Sequence, residues 1–483
     1  MEPSAQARSL LRPVDEKGAH LVSKCWVKIM GLRWKVNWFI LMGLVLCGVL
    51  FYVVTSPMIM NGGRNLKWKP MGLAGDSGEH SYSVWPAFST ESFLDSTFFK
   101  QRCAPDINYT MTNLVLVKKQ WSTAEDVRCR RLYEKFVSIY TFEARNAPLK
   151  LPPKFMSKLK HWLGDSDELL KQAYNQEVIH VVSEYTREHT IFNSLRDKRP
   201  VLPPAESEEE YFQNLLAETA KDCDFCNYKQ NTAEHVFGRL ESKHSFTASN
   251  AFKLDTLHAL VAPKKHDPLH WTLEEFLDLF DLVGTWLQKA HSFYPKARFP
   301  SLIWDVLPKC GASQVHPHLH VMLDPKRYHG QVEAWREGAS DYFTDHGSNY
   351  FTDMVDIYSA LNLTVTHGSA VAFPNLVPKR DHEVIVISRD ADKDFYKLLF
   401  LVLRAFIDSF NVKCFSMGLA LPALDAMEGK IPAYARIITR GYVTDIRTDM
   451  SSFELFMAAS VNIDPYKTVQ TIRQFITKTR LET

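Results

Sequence analysis

The stretch from 311 to 323 reads Gly-Ala-Ser-Gln-Val-His-Pro-His-Leu-His-Val-Met-Leu and carries three histidines two residues apart. Its apolar and β-branched residues predict a strand from 315 to 323. Side chains alternate across a strand, so His316, His318 and His320 would share one face. A lone histidine is more often structural, but three imidazoles on one face each need a partner, a ligand or solvent. The spacing therefore predicts a functional site.

Such a row of histidines suits phosphoryl or nucleotidyl transfer. A neutral imidazole nitrogen can attack phosphorus and form a covalent phosphoramidate, which divides one difficult displacement into two. Neighbouring imidazoles and backbone amides can hold the phosphate oxygens while charge redistributes. The motif thus predicts chemistry on a phosphate ester.

The chain around the motif predicts an α+β body built from two repeats. Before the motif, Thr272 and Glu275 form a capping-box pattern at the start of an amphipathic helix. The predicted strands and helices then recur in a similar order. In the first part the strands are 245–250, 256–262, 301–306 and 315–323; in the second part they are 383–388, 413–419 and 434–439, with a helix at 392–410.

These residues resemble the histidine-triad superfamily. The run 311–318 (GASQVHPH) is similar to the G-x-S-x-x-H-P-H signature of galactose-1-phosphate uridylyltransferases and dinucleotide phosphorylases. The resemblance covers about residues 215–480 and implies two repeats of antiparallel sheet with flanking helices, at 205–330 and 331–483. His320 departs from the glutamine of the transferase branch and resembles the hydrolase branch, which argues against hexose-1-phosphate uridylyl transfer.

The resemblance also implies roles for individual residues. His318 matches the nucleophile, with His316 and His320 as the flanking catalytic histidines. The segment 249–252 (SNAF) is similar to the family's nucleotide-facing N-x-F. The implied substrate-binding residues are Asn250, Phe252, Gly311, Ser313 and Gln314.

A metal site is predicted beside the motif. Cys223 and Cys226 form a C-x-x-C pair that can offer two thiolates to one tetrahedral Zn²⁺. In zinc-bearing members of the family the remaining ligands match His266, in a P-K-x-H segment, and His316. His270 competes for the third place, and a disulfide or two free thiols is the alternative. The zinc would be structural.

The second repeat is interpreted as degenerate. The segment 431–436 (IPAYAR) stands where the triad would lie and has alanines where ligands or catalytic groups are expected. Arg436 or Arg440 could reach a phosphate, although a solvated surface arginine is the commoner case. This half is expected to shape the fold and the substrate cleft.

The N-terminal region predicts a membrane anchor. Residues 36–54 are apolar and long enough to span a bilayer, and seven Lys or Arg residues precede them. This bias predicts a cytoplasmic tail at 1–35 and a type II protein of the Golgi or endoplasmic reticulum, with a lumenal body. A stem (55–100) and a helical extension (101–204) follow. A lumenal body would permit glycosylation at Asn108 and Asn362 and a Cys103–Cys129 disulfide.

Composition narrows the classes of function. Over 483 residues the net charge is +2, which gives no reason to expect nucleic acid as a partner. Eight cysteines are too few for a disulfide-framework fold. We therefore expect a membrane-anchored hydrolase or nucleotidyltransferase acting on a nucleotide or nucleotide-sugar, with a homodimer as a further expectation. The alternatives are a catalytically inactive nucleotide-binding receptor and a scaffold that the zinc and triad only stabilise.

Overall fold

A computed structural model describes residues 85–89, 94–199, 207–425, 430–445 and 450–482. The predicted tail (1–35), membrane segment (36–54) and most of the stem lie outside these residues. Within the described ranges, no helix combines the length and the apolar character that a bilayer crossing requires.

The described chain alternates helices and strands. The helices are α1 Ser96–Phe98, α2 Leu114–Thr123, α3 Val127–Ile139, α4 Pro153–Trp162, α5 Asp167–Tyr174, α6 Glu208–Ala220, α7 Tyr228–Asn231, α8 Leu273–Phe293, α9 Gly330–His346, α10 Tyr350–Ala360, α11 Lys393–Asp408 and α12 Pro465–Glu482. The strands are β1 Tyr140–Pro148, β2 Asn175–Ser183, β3 His189–Phe192, β4 Ser245–Ser249, β5 His258–Pro263, β6 Phe299–Asp305, β7 Leu319–Asp324, β8 Val365–His367, β9 Ala370–Pro374, β10 Val384–Ser388, β11 Phe415–Ala420, β12 Ala433–Thr439 and β13 Ala458–Val461.

A nine-stranded antiparallel sheet forms the body within the described residues, in the order β4-β5-β7-β6-β11-β12-β10-β9-β8. The central pair is β6 and β11, with Ile303 opposite Gly418. Outward from this pair, β7-β5-β4 on one side matches β12-β10-β9 on the other. The predicted α+β class is therefore correct, and the strand order is the same in both halves.

Helices α8 and α11 cover one face of this sheet. Their apolar sides pack with Leu302, Trp304 and Val386 in one buried cluster. Helix α8 begins at the predicted capping box, where Thr272 accepts a hydrogen bond from the Glu275 amide and Glu275 accepts one from the Thr272 amide. These two bonds satisfy amides that the first turn of a helix leaves without partners.

The predicted helical extension is wrong in part, because three strands lie within 101–204. Strands β1, β2 and β3 form a second sheet, which β13 completes by pairing parallel to β3. The segment 175–183 (NQEVIHVVS) alternates buried and less buried positions toward its end, as a half-buried strand does. The extension packs against the second half of the large sheet, on the face opposite the helices, where it contacts the cluster of Phe373, Ile385 and Ile387.

In the first half, the face opposite α8 carries His258 and His320, both on strands. Ile303 lies directly opposite His320 on the neighbouring strand β6. It is 37% exposed. The extension thus covers this face over the second half, while in the first half solvent reaches it at Ile303 and, in part, at His320.

The predicted strand 315–323 begins only at Leu319, so the triad is not three positions of one strand. Residues 311–318 form a loop that leads into β7. Pro317 has no backbone N–H to offer a neighbouring strand. The His316 imidazole instead hydrogen-bonds the Pro263 carbonyl, which lies at the end of β5. Only His320 lies within the strand.

Candidate active site

The structure brings His318 and His320 together and directs His316 elsewhere. The ring centroids of His318 and His320 lie 5.3 Å apart. The ring of His316 points instead toward Cys223 and Cys226. The predicted triad therefore divides into two catalytic candidates and one metal-ligand candidate.

The hydrogen bond of His318 fixes its tautomer. Its Nδ1 lies 2.9 Å from the carbonyl oxygen of His316. A carbonyl can only accept, so Nδ1 carries the hydrogen and Nε2 keeps the lone pair. His318 is 4% exposed, and the Phe225 ring lies 5.2 Å from its own ring. This is the protonation state that a nucleophilic imidazole needs.

His258, which the sequence analysis did not identify, orients His320. The backbone N–H of Leu254 donates to Nδ1 of His258 at 3.0 Å. Nε2 of His258 therefore carries the hydrogen in the neutral ring and donates to Nδ1 of His320, also at 3.0 Å. The remaining nitrogen of His320, Nε2, then bears a hydrogen. His320 is thus prepared to donate to a phosphate oxygen beside His318.

Burial keeps these rings neutral near pH 7. Removal from water disfavours an imidazolium, and it lowers the pKa of His258 and of His320 to about 4. Burial also lowers the pKa of His318, although the Asp305 carboxylate acts in the opposite direction. The lone pair of His318 is therefore available at neutral pH.

The loop between β4 and β5 borders the histidines. The Asn250 side chain accepts a hydrogen bond from the Phe252 amide, so it shapes the loop. Phe252 is 88% exposed, which leaves its ring available to a base. Lys253 donates to the Ser249 hydroxyl at 2.9 Å. The structure thus adds a lysine to the predicted Asn250 and Phe252.

The loop before His316 contains the predicted phosphate-contacting residues. Gly311 and Ser313 are exposed, and Gln314 is half-buried. Gly311 has φ +107°, a conformation that L side chains rarely adopt. Arg440 donates to the Cys310 carbonyl at 3.0 Å. A disulfide joins Cys310 to Cys414, next to β11. The loop is therefore held from the second half of the sheet.

The four predicted metal ligands converge. The candidate ligand atoms of Cys223, Cys226, His266 and His316 all lie within 4.8 Å of one another. The Cys226 Sγ lies 3.4 Å from His266 Nδ1 and 3.6 Å from His316 Nδ1. Tetrahedral Zn²⁺ with its usual bond lengths predicts sulfur-to-nitrogen separations of roughly 3.5 Å. The two cysteines are free thiols rather than a disulfide.

Both imidazoles of this cluster, His266 and His316, make a further contact through the ring nitrogen that faces away from the thiols. Nε2 of His316 donates to the Pro263 carbonyl at 2.7 Å, which leaves the Nδ1 lone pair toward the thiols. Nε2 of His266 lies 3.2 Å from the Thr219 hydroxyl. The competitor His270 is exposed and pairs with Asp267 at 2.8 Å. The donor set therefore fits Zn²⁺ and excludes His270 from it.

The sheet register corrects the alignment of the second half. In the central pair of strands, Gly418 of β11 lies opposite Ile303 of β6. On the outer side of this pair, His320 of β7 lies opposite Ile303, and Arg436 of β12 lies opposite Gly418. Arg436 thus takes the position of His320, and Tyr434 that of His318. The alanines of 431–436 alternate with these two residues and face the helices. The expectation of alanines at the histidine positions is therefore wrong.

Arg436 is not the solvated arginine expected from the sequence. Its Nε donates to Glu383 at 2.7 Å, and its Nη1 donates to Glu188, between β2 and β3, at 2.6 Å. Both carboxylates are buried. They raise the pKa of Arg436 against the opposing effect of burial. The arginine therefore joins the extension to the second half of the sheet.

Two further predictions concern glycosylation and a disulfide. Asn108 and Asn362 are both exposed, although Arg473 donates to the Asn362 side chain at 2.9 Å. Glycosylation at these asparagines stays a prediction. Cys103 and Cys129 form the disulfide that a lumenal body would permit.

His258 and Lys253 are the main site residues that sequence reasoning missed. The signal for His258 was its place on a strand next to the segment 249–252, on the same face as His320. That signal needs the register of β5 and β7, which pairs His258 with Met322 and Leu260 with His320. No single-sequence pattern supplies this register.

Comparisons with known proteins found similar solved structures. No family model matches the chain, and no curated protein matches its sequence. An ADP-glucose phosphorylase from Arabidopsis thaliana with bound ADP-glucose is 15% identical, covers 60% of this chain and 97% of its own, and gives a TM-score of 0.46. A uridylyltransferase is 15% identical, covers 62% of this chain and 99% of its own, and gives a TM-score of 0.45. The yeast Ap4A phosphorylase in complex with AMP is 12% identical, covers 72% of this chain and 96% of its own, and gives a TM-score of 0.26.

By their descriptions, these solved structures are uridylyltransferases and nucleotide phosphorylases. The roles given below to individual residues rest on the geometry of this chain.

Proposed function

We propose that the protein is a nucleotidyltransferase or nucleotide hydrolase that forms a covalent nucleotidyl-histidine at His318. One observation carries the proposal. Hydrogen bonds leave a lone pair on Nε2 of His318 and a hydrogen on Nε2 of His320, and the two rings lie 5.3 Å apart. A nucleophile beside a donor is what a displacement at phosphorus uses.

The reaction has two displacements. In the first, Nε2 of His318 attacks the α-phosphorus, the P–N bond forms, and the bond to the leaving oxygen breaks with its electron pair. His320 Nε2–H donates to a phosphate oxygen as negative charge shifts toward the leaving group. In the second, water or a phosphate acceptor attacks phosphorus, and the electrons of the P–N bond return to His318.

Lys253 and the loop 311–314 would hold the phosphate oxygens. Lys253 lies in the loop that follows β4, and burial lowers its pKa. An exposed glycine and serine at 311 and 313 leave backbone groups accessible on the side of His316 and His318. Phe252 would stack on the base, since its ring is exposed beside the histidines.

The metal in this proposal is one structural Zn²⁺ ion, bound by Cys223, Cys226, His266 and His316. When bound, it would tie the residues after α6 to the loop before His318 and take no part in the displacement. Support comes from the sulfur-to-nitrogen separations and from the two fixed imidazoles.

The two halves of the sheet would derive from a duplication in which the second half exchanged its histidines for an ion pair. The common strand order on either side of β6 and β11 supports this idea. In the first half, His320 pairs with Leu260, and His258 stands two residues before Leu260. In the second half, Arg436 pairs with Ile385, and Glu383 stands two residues before Ile385. A buried Glu–Arg pair thus takes the position of a hydrogen-bonded histidine pair.

The body would lie in an oxidising lumen, anchored through residues 36–54. Two disulfides within the described residues support this location, because disulfides persist in the secretory pathway and are rare in the cytosol. The anchor and its orientation rest on the sequence alone, and a homodimer remains a prediction.

A nucleotide-binding receptor without turnover is the second candidate. The observation that favours it is the low exposure of His318, whose ring lies against Phe225. A binder would hold nucleotide at Phe252 and the loop 311–314 without attack on phosphorus.

Chemical trapping separates these two functions. Full-length protein, exchanged into detergent, is incubated with α-³²P-labelled nucleoside triphosphates and nucleotide sugars and then denatured in base, which preserves phosphoramidates. We expect label on His318, its loss in His318→Asn, and slower turnover in His320→Asn. His270→Asn is the control, because His270 is exposed outside the site. Wild-type turnover by His318→Asn sinks the mechanism, and saturable binding without label selects the receptor.

A further inference from the structure

A cavity of about 220 Å³ lies on the face of the large sheet that is opposite α8 and α11, where the two halves of the sheet meet. Strands β6, β11 and β12 form its floor, and the start of α9 forms part of its wall. Ile303 and His329 line it and are both exposed, so solvent reaches the cavity there. Among the described residues that line it, none belongs to the histidine site at 258, 318 and 320.

Two small residues of β11 form the middle of the cavity floor. Gly418 lies directly opposite Arg436 of β12. Ala420 lies between Ser301 of β6 and Tyr434 of β12. A Cβ built on Gly418 meets nothing within 4 Å. Glycine weakens the interior of a strand and often marks a place where a ligand approaches the backbone. The middle strand therefore leaves open space between larger side chains on its two neighbours.

Three residues that line the cavity each have a buried polar atom without a hydrogen-bond partner in the part of the chain that the structure describes. These atoms are the hydroxyls of Ser301 and Tyr434, in residues that are 7% and 6% exposed, and Nη2 of Arg436. Leaving buried polar atoms unsatisfied is unfavourable, and native proteins seldom do so without a reason. Nη2 can only donate, whereas each hydroxyl can donate or accept. A bound group that carries acceptor atoms would satisfy all three.

Aromatic rings form a fixed wall of the cavity. Trp335 and Phe351 line it together with Tyr434. The ring centroids of Trp335 and Tyr434 lie 4.3 Å apart in an edge-to-face arrangement. Nε1 of Trp335 donates to Glu188 at 3.2 Å, which holds the indole in place. An engineered apolar cavity of about 150 Å³ accommodates benzene. This cavity is somewhat larger, so it suits a single ring with one substituent.

The charges beside the cavity favour an uncharged ligand. Arg436 pairs with Glu188 and Glu383 at 2.6 and 2.7 Å. Lys379 lies 3.8 Å from Glu188, so the two carboxylates already have two cations. An anionic ligand would add a buried negative charge without a cation of its own, which is strongly unfavourable. An uncharged acceptor, such as an amide oxygen or a ring nitrogen, avoids this penalty.

We propose that this cavity is a binding site for an uncharged, planar, single-ring compound that carries an amide group. The ring would lie over Gly418 and against Trp335. Its amide oxygen would accept hydrogen bonds from Arg436 and Tyr434, and its amide N–H would donate to the Ser301 hydroxyl. The site goes beyond the proposed function, in which it takes no part.

Matched small probes test the proposal on the full-length protein. Calorimetry measures the dissociation constants of benzamide and nicotinamide, of their charged counterparts benzoate and nicotinate, and of toluene, which lacks polar atoms. We expect at least one amide to bind at one site per chain, at least about tenfold more tightly than its carboxylate and than toluene. If neither amide binds saturably, or if the carboxylates bind as tightly as the amides, the proposal is wrong.

Two substitutions locate the bound amide. Gly418→Val would fill the space over β11, so the amide should bind at least about tenfold more weakly. Gly284→Val is the matched control, because Gly284 lies on helix α8 and a Cβ built there also meets nothing within 4 Å. Phe252→Ala should leave the binding of the amide unchanged, whereas an amide bound at the histidine site would lose affinity. Binding that survives Gly418→Val, or that is lost in Phe252→Ala, contradicts the proposal.

Removal of each hydroxyl tests the hydrogen bonds without filling the cavity. Tyr434→Phe and Ser301→Ala remove hydroxyls that no described residue pairs with, so the melting temperature should not fall. The dissociation constant of the amide should rise roughly three- to tenfold in at least one variant, as expected for one lost hydrogen bond. Unchanged constants in both variants would refute the assigned contacts. Nucleotide labelling at His318 is read separately, so failure of this site leaves the proposed function standing.

Discussion

His320 and Arg436 occupy corresponding positions in the two halves of the sheet. Each lies directly opposite a residue of the central pair, His320 opposite Ile303 and Arg436 opposite Gly418. His320 contacts His258, and Arg436 contacts Glu383. One half thus carries a neutral pair of imidazoles, in which His258 is buried and His320 is partly exposed, and the other carries a buried ion pair that contacts the extension.

Removing Arg436 should destabilise the protein strongly. Arg436→Met retains much of the side-chain volume, leaves the buried Glu383 without its cation and leaves Glu188 with only Lys379, at 3.8 Å. This loss costs about 3–5 kcal/mol in the free energy of unfolding. Urea denaturation measures this loss. Arg128→Met is the control, because the Arg128–Asp126 pair is exposed, and little change is expected there.

A double variant tests the cause. Adding Glu188→Gln to Arg436→Met removes one of the two buried carboxylate charges and should recover part of the lost stability. No recovery would mean that the loss reflects packing rather than charge.

The metal site should contribute to folding. Cys226→Ser removes one thiolate of four ligands, so the zinc content of the purified protein should fall from about one ion per chain toward zero. The melting temperature should fall with it, and a strong chelator should produce the same shift in the wild type. His270→Asn is the control, because His270 is exposed, pairs with Asp267 and lies outside the ligand set, so this variant should keep the zinc. Full zinc occupancy in Cys226→Ser would contradict the ligand set.

The histidine pair should make the fold sensitive to acid. His258 and His320 have pKa values of about 4 in the folded protein and about 6.5 when unfolded. The unfolded chain therefore binds more protons between these values. The stabilising contribution is complete above pH 6.5 and is lost as the pH falls toward 4.

His258→Gln tests this dependence, since an amide N–H can still donate to His320. Its melting temperature should fall less than that of the wild type between pH 7 and pH 4.5. His161→Gln, on an exposed helix position, is the control. Parallel pH profiles for wild type and His258→Gln would overturn this account of the pair.

The Cys310–Cys414 disulfide should stabilise more than the Cys103–Cys129 disulfide. The sequence separations are 104 and 26 residues. Loop-closure entropy then predicts roughly 4.7 and 3.5 kcal/mol. Replacing each pair by serines and comparing denaturant midpoints checks this order. Cys310 also adjoins Gly311, so only the first replacement should weaken nucleotide binding. If both replacements weaken nucleotide binding equally, the Cys310–Cys414 disulfide has no specific role in holding the loop 311–314.

Much of the fold followed from local patterns. Thr272 and Glu275 predicted the start of α8, and the alternating residues of 245–250 and 434–439 predicted β4 and β12, because caps and periodicity depend on neighbours in sequence. The extension was harder to assign. Its strands β1 and β2 pair with each other, and β3 pairs with β13, some 270 residues away. No local window of sequence contains that partner.

The sequence by itself determined the residue types of the site: the histidines of 316–320, the two thiols at 223 and 226, and the glycine at 311 each require a chemical or conformational role wherever they lie. Only the tertiary structure decided that His316 leaves the triad for the thiols, that His258 orients His320, and that Arg436 ends between two glutamates. The physical reason is that these assignments depend on strand register and on hydrogen bonds across the sheet. A one-residue shift in that register would direct the same side chains to the opposite face.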